Sequence, residues 1–458
     1  MRVQAARKDD RGADELLLCR LSVLCQARCP CNPNVSHDIK NSRVEKSLQE
    51  DNPLLRVFRP LTHKNYAVFL SCDFVSSIGQ FIQEVALYWI AYEITKSALA
   101  LGILGVCEAG PRLILSAVGG ALVDRYNRLR VVILIQYLTA APIFVFIALY
   151  FSGTLAFWHI LVFQLVSSVV RSINPSASQS LIRELVPDHA LMSAIALFSM
   201  EFNFARIIGP SVGGVLILWL GVGGCFLIYA VALILAGLGL LFVDLSPEEV
   251  VRGEHGLFHE VQEGFRYIRQ APVILSSIAA AYILSIFVGT YQRFLPVFAT
   301  EILAVGPEGL GILMAAPGLG AVASLFFLGS AAERWRKETM LWVPTALTPV
   351  FLILFCFSHN FWLSAVLLGL VGGGQIAFRT VSRLIIQMDV PHALLGRVMS
   401  VFVMDQGMRS VGSLVMGIFA SFFGADIGLA LTSVISLFLT STLFYYLLRT
   451  NTNSVDAR

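Results

Sequence analysis

Twelve long apolar stretches, separated by short polar breaks, constrain this chain more than any other feature. A helix that crosses a bilayer needs about 20 mostly apolar residues. Stretches of that kind fall at 66–91, 99–122, 131–151, 156–182, 192–219, 224–243, 273–298, 309–332, 341–357, 361–386, 395–422 and 427–448. They are too long for barrel strands of about 10 residues and lack the alternation such strands need. Composition agrees: 56% of the 458 residues are hydrophobic and 14% are charged, against roughly 25% charged in soluble domains. A soluble globular protein, a disordered chain and a disulfide scaffold are excluded. A net charge of +3 without a basic stripe excludes nucleic-acid binding. The expected fold class is an all-α integral membrane protein with twelve transmembrane helices.

Lys and Arg set the expected orientation. Arg125, Arg128, Arg130, Arg183, Arg252, Arg266, Arg269, Arg334, Arg336 and Lys337 follow even-numbered spans, whereas only Lys96 follows an odd-numbered one. Even loops and both termini are therefore expected in the cytoplasm. Residues 1–60 read as a cytoplasmic, disordered tail or as translation from upstream of the true start. The Cys25-x3-Cys29-x-Cys31 spacing there lacks the paired pattern of zinc modules, and no metal is expected. Cys72, Cys107, Cys225 and Cys356 stand alone in separate spans and read as packing residues. Residues 61–243 form a first six-helix bundle and 273–448 a second, and 449–458 form a cytoplasmic tail. The linker 244–272 carries an amphipathic helix, with Leu257, Phe258, Val261, Phe265 and Ile268 on one face.

The two bundles repeat each other. Leu101-Gly-Ile-Leu104 matches Leu310-Gly-Ile-Leu313 at an offset of 209, which also pairs Gly120 with Gly329, Asp124 with Glu333, Arg125 with Arg334 and Arg128 with Lys337. An offset of 203 pairs Arg206 with Arg409, Gly209 with Gly412 and Gly214 with Gly417. Two pseudo-symmetric halves of six helices build transporters whose site lies between the halves, near the midplane.

Gly120-Ala-Leu-Val-Asp124-Arg125-Tyr-Asn-Arg128 resembles the loop motif of the major facilitator superfamily between its second and third helices. Ala205-x-x-x-Gly209-Pro210-x-x-Gly213-Gly214 resembles that superfamily's antiporter motif on helix five. Over about 55–450 the chain is most similar to the branch of the enterobactin exporter and macrolide-efflux-like proteins, in phrases such as Gln83-x-Val85-Ala86-x-x-Trp89 and Gly396-Arg397-Val398-Met-Ser400. It departs from the loop motif at Asn127, where Gly is usual. A carboxylate at Asp124 can accept from the free N–H groups at a neighbouring helix start. The resemblance implies that this neighbour is span 11, with Arg125 and Arg128 holding the carboxylate and reaching phospholipid. The repeat implies a mirror gate at Glu333 and Arg334. Ordinary positive-inside charge is the plainer alternative. Gly209, Pro210, Gly213 and Gly214 suit close helix packing, with the small, bent stretch Ala315–Gly320 of span 8 as expected partner.

Ionisable groups at bilayer depth cost several kcal/mol and normally face a cavity or a partner. At 100° per residue, Asp73, Ser77, Gln80 and Glu84 share one stripe of span 1. Gln164, Ser168 and Arg171 share a face of span 4, and Gln375, Arg379 and Ser382 one of span 10. Span 5 carries Glu201 and Arg206, span 7 Arg293, and span 11 Asp405 and Arg409. The resemblance implies that spans 1, 4, 7 and 10 line the cavity. Asp73, Glu84 and Glu201 are the proton-coupling candidates. Gln80, Gln164, Arg171, Arg206, Arg293, Gln375, Arg379, Asp405 and Arg409 are the substrate-cavity candidates. Glu108–Arg112 and Asp405–Arg409 are spaced i,i+4 and are expected to neutralise each other along one helix.

No nucleophile elbow, metal spacing or phosphate loop occurs, so neither an enzyme nor a cofactor is expected, and ATP is not the drive. The expected function is secondary export of a small amphipathic, siderophore- or drug-like molecule by proton antiport. The chain is expected to act as a monomer in a bacterial cytoplasmic membrane, with protons and lipid as its other partners. A lysophospholipid or nutrient permease and a non-transporting sensor or scaffold are the alternatives.

Overall fold

The computed structural model describes residues 58–123, 126–244, 266–269, 271–331, 335 and 337–456. Every regular element among them is helical. The tail cysteines, most of the amphipathic stretch in the linker, and Asp124, Arg125, Glu333 and Arg334 lie outside the described residues.

In chain order the helices are α1 (Lys64–Thr95), α2 (Ala98–Val123), α3 (Arg128–Phe151), α4 (Phe157–Arg171), α5 (Asn174–Leu185), α6 (Asp188–Leu240), α7 (Pro272–Phe287), α8 (Gly306–Ala331), α9 (Lys337–Cys356), α10 (Phe361–Asp389), α11 (His392–Val403), α12 (Arg409–Phe423) and α13 (Ala425–Asp456). Among the described residues, eight helical segments are long and apolar enough to cross a membrane. The eight map onto the twelve expected spans in specific ways. Spans 5 and 6 run together as α6, which reverses at Gly221 (φ 69°, ψ 179°), a conformation that needs glycine. Span 1 is one 32-residue helix whose polar stripe dilutes its hydropathy. Span 2 has an apolar helical part at Ala98–Pro111. Span 11 is broken into α11, a 3₁₀ turn at Met404–Gln406, and α12.

Three spans are broken within the bundle. Span 4 is interrupted at Ser172–Ile173, where Pro175 opens α5. Span 7 loses α-helical form after Phe287 and continues as a 3₁₀ turn at Tyr291–Phe294 and a π-helical turn at Phe298–Ile302. Span 11 breaks at 404–408, next to Asp405. Irregular backbone inside a membrane protein is tolerated where it lines a cavity or is buried in protein, and these breaks surround the polar centre.

Loop chemistry accounts for the ends. Lys96 ends α1 in the left-handed conformation, its N–H bonding Tyr92 O. Asn127 caps α3, its side chain accepting from the Arg130 N–H. The departure from the superfamily's usual glycine at that position therefore supplies a helix cap. The last turns of α13 run on to Asp456, past the apolar stretch that ends at 448.

Residues 59–458 pack as one unit, and the repeat is visible in how its helices touch. A Cβ placed on Gly214 of α6 would lie 2.9 Å from Gly311 Cα of α8, and one on Gly417 of α12 would lie 3.0 Å from Gly102 Cα of α2. These contacts are related by the repeat, since Gly214 corresponds to Gly417 and Gly311 to Gly102. Gly209 and Gly213 instead face Phe81 and Ile82 of α1. The expected partner, α8, thus meets the glycine motif at Gly214, while its own Gly318 meets Ile207 and Gly320 meets Gly369 of α10.

Candidate transport pathway

The polar side chains of the bundle converge on three places. The first joins the halves at mid-depth. Arg293, 6% exposed, donates from Nε to Glu108 Oε2 at 3.0 Å and from Nη1 to Ser413 Oγ at 2.7 Å. The Tyr88 hydroxyl donates to Glu108 at 2.7 Å and lies 3.1 Å from Glu84 Oε1. One phenol hydrogen serves one acceptor at a time, so a second hydrogen bond there requires a proton on a carboxyl. Glu108 reaches across the interface to Arg293, which offers a buried guanidinium, and its pair with Arg112 stays an expectation. The Arg112 side chain lies outside the described residues.

The second place is in the C-terminal half. Asp405, 1% exposed, accepts from Ser285 Oγ at 2.7 Å and from Arg379 Nη2 through the same oxygen, Oδ2. The expected i,i+4 pair with Arg409 does not form, because the break at 404–408 removes the helical geometry that would place the two side chains together. Arg409 sits in the same cavity, with Gln375, Gly289 and Arg379, and its Nε is buried without a hydrogen-bond partner.

The third place is in the N-terminal half. Asp73 on α1 and Glu201 on α6, 8% and 7% exposed, lie together beside Ser77. Both Glu201 carboxyl oxygens are buried with no hydrogen-bond partner. Two adjacent buried carboxylates repel, and one shared proton removes the repulsion.

The other expected residues surround these places. Glu84 and Arg171 lie close enough to attract each other, and Arg171 Nε is buried without a partner. Gln164 is 2% exposed and Gln80 half-buried. Arg206 and Arg409 both approach Tyr291. Gly120 lies in the last turns of α2. Arg128 opens α3 and pairs with Glu184 of α5, within its own half. The sequence reading missed Tyr88, Tyr92, Ser285, Tyr291 and Glu301. Tyr92 donates to Glu301, and this bond joins equivalent ends of the two repeats: Tyr92 lies four residues before Lys96, Glu301 three before Ala304, and both Lys96 and Ala304 are left-handed. Equivalent ends of two related elements meet only beside the pseudo-twofold axis, so the bond caps the cavity there. Counted from the left-handed residues, Glu301 matches Glu93, and Glu93-Ile94 repeats as Glu301-Ile302, a signal in the sequence that was passed over.

Contacts between the halves gather at one end. Tyr92–Glu301, Gly102–Gly417 and Gly214–Gly311 all lie toward the odd-numbered loops, with Glu108–Arg293 deeper in the bundle.

The model of a family described as "Transmembrane secretion effector" matches residues 56–458. The chain is 24% identical over 390 residues to the staphyloferrin A transporter of Staphylococcus aureus, covering 83% of this chain and 96% of that one. It is 25% identical over 340 residues to the enterobactin exporter EntS of Shigella boydii, covering 74% of this chain and 80% of that one. Its fold is similar to that of a bacterial homolog to the human lysosomal transporter Spinster in an inward-facing and unoccupied conformation. There the TM-score is 0.68 and the identity 14%, over 84% of this chain and 97% of the other.

Proposed function

The chain belongs to the transmembrane secretion effector family of the major facilitator superfamily, and from that premise we propose that it exports a siderophore-type, small amphipathic molecule by alternating access, exchanging it for protons. One observation carries the reading. Among the described residues, the halves are joined by a buried ion pair, Glu108–Arg293, and sealed toward the odd-numbered loops. A membrane scaffold has no use for ionised groups at that depth, which cost several kcal/mol to place. A two-state carrier uses them as contacts that break when the sealed end opens.

The Lys and Arg distribution supports placing both termini in the cytoplasm of a bacterial inner membrane, which makes the sealed end external and the structure inward-open. Cargo enters from the cytoplasm between α4, α7, α10 and α1. Opening the outer end separates Tyr92 from Glu301 and Glu108 from Arg293. A proton from outside compensates the exposed carboxyls, either on the Tyr88–Glu84–Glu108 group or on the Asp73–Glu201 pair. The names of the relatives support siderophore-type cargo.

The test uses a bacterial host that makes enterobactin but lacks its exporter, with a second host making staphyloferrin A. Expression of the chain should move the siderophore from cells to medium in one of them, and a protonophore should abolish the movement. Unchanged secretion in both hosts, with the protein present in the membrane, overturns the proposal.

A further inference from the structure

The cavity between α7, α10 and the broken segment 404–408 has walls of Ala281, Leu284 and Phe378 and a polar floor of Ser285, Gln375, Arg379, Asp405 and Arg409. Its charges do not balance. Arg379, Arg293 and Arg206 lie near enough to repel Arg409, and Asp405 is the acid that attracts it. Asp405 is engaged through Oδ2, which holds both Arg379 and Ser285, and its Oδ1 is buried without a hydrogen bond to Arg409 or to any other group. Arg293 is engaged by Glu108 and Ser413. Arg409 is left as a guanidinium whose Nε is buried without a partner. Gly289 opposes it, and a Cβ there would stand 3.3 Å from that nitrogen, so the glycine keeps the approach open.

A guanidinium presents a planar fork of donors that matches a carboxylate through two parallel hydrogen bonds. A guanidinium whose Nε lacks a partner in a low-dielectric cavity, with three other arginines near it, is set to receive an anion. We propose that Arg409 is the anchor for a carboxylate group of the cargo, with the Gln375 amide as second donor. Asp405 acts as a built-in competitor: it withholds Arg379 and offers Arg409 a weak substitute when the cavity is empty. This inference rests on the export reading and narrows its cargo to molecules that carry a carboxylate at the end seated in the C-terminal half.

Citrate and its uncharged triethyl ester serve as probes of purified full-length protein, by calorimetric titration. Citrate should bind and the ester should not. Arg409→Gln should weaken citrate binding more than tenfold, and Arg409→Lys should weaken it less, since charge remains but the fork is lost. Asp405→Asn should tighten binding severalfold, because it removes the competing carboxylate and frees Arg379. A purely structural role for these residues would make Asp405→Asn weaken binding like the others. Citrate bound no better than the ester, an Arg409→Gln affinity equal to the parent, or weaker binding by Asp405→Asn each overturns the proposal. If Arg409→Gln does not fold, the Lys and Asn variants decide. Siderophore secretion is measured in parallel: secretion that persists without citrate preference removes the carboxylate anchor and leaves the export reading standing, whereas absent secretion removes the export reading itself.

Discussion

The two halves repeat each other in backbone packing and oppose each other in charge. The glycine contacts come in symmetric pairs, Gly214 on Gly311 and Gly417 on Gly102. The titratable groups do not. The N-terminal half contributes the acids Asp73, Glu84, Glu108 and Glu201 with the cations Arg171 and Arg206, and the C-terminal half contributes Arg293, Arg379 and Arg409 with Asp405 beside them. Symmetry thus lies in the backbone packing and asymmetry in the balance of acids, which fits the proposed division between proton coupling in the N-terminal half and anion binding in the C-terminal half. Arg206 and Arg409 are the exception, a repeat-related pair on the same Tyr291.

Breaking the charge seam is the strongest way to test this division. Arg293→Met leaves Glu108 buried without its cation, and losing one member of a buried pair costs about 3–5 kcal/mol. Export should fall at least a hundredfold, with a lower melting temperature in detergent. Combining it with Glu108→Gln should restore the melting temperature without restoring export. Restored export in the double variant would make the pair a structural accessory.

Next in size are the acids of the N-terminal half. In a solution assay of proton release on adding siderophore, Asp73→Asn and Glu201→Gln should each abolish release while binding stays measurable, because in the proposed mechanism one proton neutralises this adjacent buried pair. Glu84→Gln should reduce release only in part, since Tyr88 retains Glu108 as acceptor. If both members of the Asp73–Glu201 pair release protons normally and Glu84→Gln does not, coupling lies at the interface.

The glycine pairs should respond alike, which the charges should not. Gly214→Ala and Gly417→Ala each place a methyl group against facing backbone, 2.9 Å from Gly311 Cα and 3.0 Å from Gly102 Cα. Both should loosen the sealed end and raise labelling of an introduced cysteine in the cavity from outside, severalfold and by similar factors. A change in only one would show that the two seals differ.

The same contrast between backbone packing and charge separates what was legible in one sequence from what was not. Apolar length, the positions of glycine and the repeat announced the helices and the close approach at Gly214, because burial and close approach act through residue type and period, whereas Gly209 and Gly213 turned to α1 and not to the expected α8. The pairing of charges was not legible. Asp405 was expected to bind Arg409 along its own helix, yet it bonds to Arg379 of α10, and Glu108 reaches Arg293 of the other half. Local spacing cannot compete with a buried guanidinium brought up by tertiary packing, and the break at 404–408 depends on that packing too. Tyr92 went unread because its hydroxyl partner, Glu301, comes from another helix, and Tyr88 because it links Glu84 of its own helix to Glu108 of α2.

The smallest effect concerns a helix end rather than the cavity. Asn127 caps α3 by accepting from Arg130 N–H at 3.1 Å, and the equivalent position in the second half is Arg336, which has no acceptor. Here the asymmetry is local and should affect stability alone. Asn127→Ala removes the cap and should cost about 1 kcal/mol, whereas Asn127→Gly should cost only about a few tenths, since glycine tolerates the cap geometry. The measurement is the melting temperature of purified protein, with Ala lower than Gly and Gly close to the parent. Export per folded molecule should be unchanged in both. If Asn127→Gly instead alters export at an unchanged melting temperature, the loop between α2 and α3 takes part in gating through its backbone, and asymmetry of function extends beyond the cavity to the cytoplasmic end.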